Sequence, residues 1–106
     1  EVTAARLRIG EGVTSIGERA FYNCTVFTEI MLPESLEQIG EKAFEGCSNL
    51  TKVVFVECVH IGGYAFKDCS SLMNVYITDI SAWCKISFVN ASSNPLCYAK
   101  NLYLND

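Results

Sequence analysis

Apolar and polar residues alternate in five short stretches of the chain. They are "ARLRIG" (5–10), "TEIMLP" (28–33), "TKVVFV" (51–56), "MNVYIT" (73–78) and "KNLYLN" (100–105). A period of two marks a strand with one buried face. Each stretch therefore predicts a strand. The inward residues are Leu7 and Ile9, Ile30 and Leu32, Val53 and Phe55, Val75 and Ile77, Leu102 and Leu104. The outward positions align as two rows, one of Arg8, Met31, Val54, Tyr76 and Tyr103, the other of Arg6, Glu29, Lys52, Asn74 and Asn101.

Between the strands a nine-residue phrase recurs: "IGERAFYNC" (16–24), "IGEKAFEGC" (39–47) and "IGGYAFKDC" (61–69), with starts 23 and 22 residues apart. Its common part is Ile-Gly-x-x-Ala-Phe-x-x-Cys. Ala, Phe and Cys fall at i, i+1 and i+4, the spacing of one face of a helical turn. Gly17, Gly40 and Gly62 permit a sharp change from strand into turn. An apolar residue three places past each cysteine (Phe27, Leu50, Leu72) leads back to the next strand. One repeat is thus strand, turn, short second strand ("VTSIG", "LEQIG") and a single helical turn.

Such a unit cannot bury its apolar side alone. Stacked in parallel, like residues form ladders with a rise of roughly 4.7–4.9 Å. The prediction is an α/β repeat of the solenoid type, with 22–23-residue repeats over residues 1–106 as one domain, and Phe21, Phe44 and Phe66 in a continuous buried column. Neither end carries a polar capping unit, so a piece of a longer array with open strand edges is expected. Those edges could pair end to end between molecules.

The stretch Phe27–Cys47, "FTEIMLPESLEQIGEKAFEGC", follows Leu-x-x-Ile-x-Leu-Pro-x-Ser-Leu-x-x-Ile-Gly-x-x-Ala-Phe-x-x-Cys, with Phe27 at the first leucine. It resembles the BspA-like leucine-rich repeats of bacterial surface proteins and some parasitic protists. The likeness runs over about residues 4–80. Ordinary leucine-rich repeats carry an asparagine where this chain has Gly12, Ser35, Cys58 and Ile80, a departure that fits the BspA-like class better than the horseshoe proteins. The resemblance implies a non-catalytic module on the cell surface or secreted, adhering to host matrix proteins, host cells or other bacteria. The alternative is a spacer carrying another domain away from the surface.

The fourth phrase never comes. In its place stands an irregular insert, residues 79–101, "DISAWCKISFVNASSNPLCYAKN", also similar to an insert of such arrays. Asp79 can cap a helical turn through Trp83, "KISFV" can continue a strand, and Pro95 suits the start of another short helix. Trp83 is placed to fill the space that the phenylalanines fill elsewhere. The insert is either padding between repeats or a binding loop.

Composition narrows the function. Half the residues are hydrophobic, 19% are charged and the net charge is -4, which can fill a core but does not suit nucleic acid. No apolar run approaches the roughly 20 residues of a membrane span, so membrane insertion is not expected, nor does the N-terminus read as a signal peptide. Of the six cysteines, Cys24, Cys47 and Cys69 form one ladder of buried thiols pointing the same way. Cys84 and Cys97 are the best remaining pair, and whether they bond is left open. Cys58 and His60 are too few for a zinc site, and the single histidine, expected to face solvent, has no base–nucleophile company. Glu18 and Glu41 recur as a solvated face rather than as acid–base partners. No phosphate-binding glycine loop is present, so no cofactor, metal or catalytic residue is expected. Asn23, Asn49 and Asn90 head glycosylation acceptor patterns, and Asn90 is expected to be the accessible one.

Function is then expected in contact with a protein ligand. The row Arg8, Met31, Val54, Tyr76 and Tyr103 is unusually apolar for a solvent-facing ladder, and tyrosine is enriched at interfaces. The bland counterpart is that Val and Tyr stand there because they favour sheet.

Overall fold

The computed structural model describes residues 5–55, 60–78, 81, 83, 86–88, 94–95, 99 and 101–104. The alternating stretches form β1 (Arg6–Arg8), β3 (Glu29–Met31), β5 (Lys52–Phe55), β7 (Asn74–Ile77) and β9 (Asn101–Leu104), and the shorter β2 (Ser15–Ile16), β4 (Gln38–Ile39), β6 (His60–Ile61) and β8 (Ser87–Phe88) lie between them. All pairing is parallel, in two sheets ordered β1-β3-β5-β7-β9 and β2-β4-β6-β8. The chain is a solenoid of parallel strands in which each repeat is one coil.

The core lies between the two sheets and the turns. Ile30, Val53 and Val75 are wholly buried, as are Ala43, Phe44, Cys47 and their third-coil equivalents Ala65, Phe66 and Cys69. Phe21, Phe44 and Phe66 stack with ring centroids 5.4 Å apart at each step, at interplanar angles of 2° and 16°. The column is therefore continuous, but Phe21 at its start is half-buried. Trp83 does not extend it. Its ring meets Phe55 and Phe88 edge-on, at 5.4 and 5.8 Å, and Phe55 in turn leans on Phe66.

Three expectations need correction. The phrase does not form a helical turn: among the described residues the helical ones are Ser81 and Trp83 and, in a 3-10 turn, Pro95, none of them in the phrase. It is a run of tight turns, with Ala43 N–H donating to Gly40 and Cys47 N–H to Phe44. Left-handed residues break the helix at Arg19 and Asn23, at Lys42 and Gly46, and at Tyr64 and Asp68. Alternate amides then turn outward to the next coil: Lys42, Phe44 and Gly46 donate to the carbonyls of Gly63, Ala65 and Lys67. Inter-coil bonding wins over helix because it also satisfies the neighbour.

At Gly40 and Gly62 the repeated glycine is likewise set by close approach rather than by a bend. A Cβ on Gly40 would lie 2.7 Å from the Glu18 nitrogen, and one on Gly62 would lie 2.7 Å from the Glu41 nitrogen. Finally, Leu102 and Leu104, expected inward, are 40% and 57% exposed. They belong to β9, the sheet's edge, where no further described strand covers them.

The missing asparagine has a substitute. Ser35 Oγ accepts from the Gly12 amide at 2.9 Å and donates to the Val13 carbonyl at 2.8 Å, tying the second coil to the first. Cys58 and Ile80, at the equivalent positions, lie outside the described residues, as do Asp79, Cys84, Cys97 and Asn90. The insert keeps the repeat plan: β8 pairs with β6, and β9 takes its place beside β7 with Val75 opposite Leu102.

Candidate protein-binding face

Parallel pairing in strict register assembles the two outward rows. Arg8 stands opposite Met31, Met31 opposite Val54, Val54 opposite Tyr76 and Tyr76 opposite Tyr103. Side chains of one row follow one another at the inter-strand spacing because the period of a strand is two. Met31 and Tyr103 are 39% and 43% exposed, Arg8 is exposed, and Val54 and Tyr76 are half-buried by their neighbours.

The two tyrosines lie ring on ring, 4.9 Å between centroids and 24° between planes. The Lys52 ammonium sits over the Tyr76 ring, 4.6 Å from its centroid. Such a contact contributes about 0.5–1 kcal/mol at an exposed site. It links the rows, because Lys52 belongs to the polar one. There Glu29 lies between two cations, 3.6 Å from Arg6 and 3.8 Å from Lys52. Further along, the Asn101 amide donates to Asn74 Oδ1 at 3.0 Å. The face therefore grades from charged at β1–β5 to aromatic and amide at β7–β9.

Elsewhere the titratable groups are structural. Cys47 and Cys69 are wholly buried and donate to the carbonyls of Phe21 and Phe44, at 3.3 and 3.1 Å. Burial pushes the two thiols up to about 11 and about 12, far from nucleophilic use. Cys24, on the first coil, is half-buried; all three are free thiols. His60 faces solvent from β6, and Glu18 and Glu41 are exposed. Asn23 and Asn49 are also exposed, contrary to the expectation that favoured Asn90. Asn23 is a left-handed residue near the end of the first phrase, and Asn49, two residues past the second phrase, donates to the Thr25 carbonyl at 2.7 Å. Among the described residues no group of three or more His, Cys, Asp or Glu gathers as a metal set, and no helix is long and apolar enough to cross a membrane.

Sequence comparison finds six copies of the BspA type leucine-rich repeat region over residues 3–102. Among curated proteins no sequence matches significantly. A leucine-rich repeat protein from T. pallidum, known from its crystal structure, superposes with a TM-score of 0.57 at 23% identity. The match covers 94% of this chain and 52% of that one, so the chain spans about half that protein's length. At this identity the likeness concerns the fold alone.

Proposed function

The chain belongs to the BspA-type leucine-rich repeat family, and we propose that it is a protein-interaction module whose contact surface is the outward face of the five-stranded sheet. Solenoids offer long regular surfaces and act mostly by binding. The observation that carries the reading is the registered row ending in the stacked Tyr76–Tyr103 pair, with Met31 exposed on the same face. Aromatic residues and methionine are enriched at interfaces, and a contiguous apolar stripe on a protein surface often marks a contact site.

The partner in this reading is a protein of a host matrix or cell surface, and the module is displayed on a bacterial surface or secreted. Family resemblance supports this setting. The graded face suits a partner that brings an apolar patch flanked by an acidic one, since Arg6, Arg8 and Lys52 occupy one end.

The test is binding of the purified protein to immobilised extracellular-matrix proteins, with Val54→Glu/Tyr76→Glu as the variant. Binding by the wild type, lost in the variant with the far-ultraviolet circular dichroism unchanged, is expected. Undiminished binding by the variant places the site off this face. If the wild type binds none of them, the spacer reading is favoured instead.

A further inference from the structure

Three cations, Arg6, Arg8 and Lys52, stand in the two outward rows against one carboxylate, Glu29, although the whole chain carries a net charge of -4. Glu29 lies between Arg6 and Lys52, and Lys52 also rests on the Tyr76 ring. Arg8 is exposed and has no acidic partner among the described residues. Excess positive charge therefore gathers at the β1 end of the face.

The β9 end has a different chemistry. The Asn101 amide donates to Asn74 Oδ1, so the amide nitrogen of Asn74 still has its two donors to offer. Tyr103 is 43% exposed and stacks on Tyr76. Among the described residues neither tyrosine hydroxyl has a hydrogen-bond partner. This end presents ring surface and donors.

We infer that the face binds a proline-rich segment in the polyproline II conformation, laid across the strands with an acidic residue over Arg8. The inference rests on the reading of this face as a contact surface and names the partner's chemistry. Spacing supports it first. A polyproline II chain has three residues per turn and rises roughly 3.1 Å per residue, so the same side returns at roughly 9.3 Å. Two steps across the sheet come to about 9.4–9.8 Å. Every third residue thus meets every second strand: a proline at Tyr103, the residue three away at Val54, the residue six away at Arg8. Hydrogen bonding agrees. Proline has no N–H, and the carbonyls of this conformation are not bonded internally, so the segment needs donors such as Asn74 and the tyrosines. Aromatic side chains are the recurring platform for such segments. Charge sets the end: a carboxylate at the sixth place meets Arg8, where an ammonium would be repelled.

The experiment follows amide chemical shifts of the isotope-labelled protein. The probe is a capped peptide of eight prolines between two glutamates, which serves either chain direction. It should shift the amides of Val54, Asn74, Tyr76 and Tyr103. Replacing the prolines by alternating glycine and serine, or the glutamates by lysines, should weaken binding roughly tenfold or more. Tyr103→Ala should weaken it similarly, and Arg8→Glu should reverse the preference in favour of the lysine-ended peptide. Both side chains are exposed, so neither change threatens the fold. No shift on this face with the glutamate-ended peptide overturns the inference, as does equal binding of the glycine–serine or lysine-ended peptide, or indifference to either variant. A silent peptide together with matrix-protein binding that Val54→Glu/Tyr76→Glu abolishes would refute this inference and leave the contact face standing. Peptide binding here without any matrix protein bound would uphold the inference and remove only the matrix as its source.

Discussion

The phrases at 16–24 and 39–47 share their apolar residues, yet these sit in different surroundings. In the second coil Ala43, Phe44 and Cys47 have no exposed surface; in the first, Ala20 is exposed and Phe21 and Cys24 are half-buried. The backbone plan is common to both, down to left-handed residues at Arg19 and Asn23, Lys42 and Gly46. What differs is the neighbour: the second coil has described coils on both sides, the first on one. In a stacked array a motif therefore names a shape, while the energy of each residue belongs to the interface between coils.

The largest effect expected from this comparison is at the ring column. Phe44 is sandwiched between Phe21 and Phe66, so Phe44→Ala should cost about 3–5 kcal/mol. Phe21→Ala removes a ring with one stacked face and an edge contact to Phe27, and should cost about 1–2 kcal/mol. Urea denaturation of both variants measures the difference, and equal costs would break the comparison.

The glycines sharpen it. A Cβ on Gly40 meets three backbone atoms of the first coil at 2.7–2.9 Å, whereas one on Gly17 meets nothing within 4 Å. Backbone cannot step aside as a side chain can. Gly40→Ala should cost about 1–3 kcal/mol, and Gly17→Ala should stay within about 0.5 kcal/mol. Thermal melting of the two variants side by side is the measurement.

The cysteine ladder adds a dependence on pH. Burial raises Cys47 from 9.0 to about 11 and Cys69 to about 12. Above pH 9 the unfolded chain loses these thiol protons while the folded chain keeps them. The contribution to stability is thus whole below 9 and is lost as pH rises through 11 and 12. By pH 10 about 1 kcal/mol per thiol should be gone. Unfolding free energies at pH 8 and pH 10 test this: Cys47→Ala/Cys69→Ala should lose less between them than the wild type, and an equal loss would overturn it.

Most of the architecture was legible because alternation and the recurring phrase are statements about neighbours. Val53 is buried for the same reason as Ile30 and Val75, and one register places all three. The turn was read wrongly, since i, i+1, i+4 spacing fits a helical turn equally well; left-handed Arg19 and Lys42 are dictated by inter-coil hydrogen bonds that no local propensity reports. The bridging role of Ser35 is similar: its spacing to Gly12 marked the missing asparagine, but only the stacked geometry brings its hydroxyl to two backbone groups. The outward rows were legible from period two alone.

The smallest expected effect separates the two halves of the polar row. Glu29 lies between Arg6 and Lys52, both partly exposed, so its loss in Glu29→Gln should cost about 0–1 kcal/mol. The loss leaves two cations on neighbouring strands without their anion, and should shrink as salt screens them over the roughly 10 Å Debye length of 0.1 M solution. Asn101→Ala removes a neutral bond to Asn74 at an exposed site, also worth about 1 kcal/mol or less, but with no charge to screen. Urea midpoints of the two variants at low and high salt should therefore converge on the wild type for Glu29→Gln and stay displaced by a constant amount for Asn101→Ala. A salt-independent Glu29→Gln would show that the charged end of the face is held by packing rather than by its ion pairs, and that the grading from charged to aromatic is a matter of composition and not of energy.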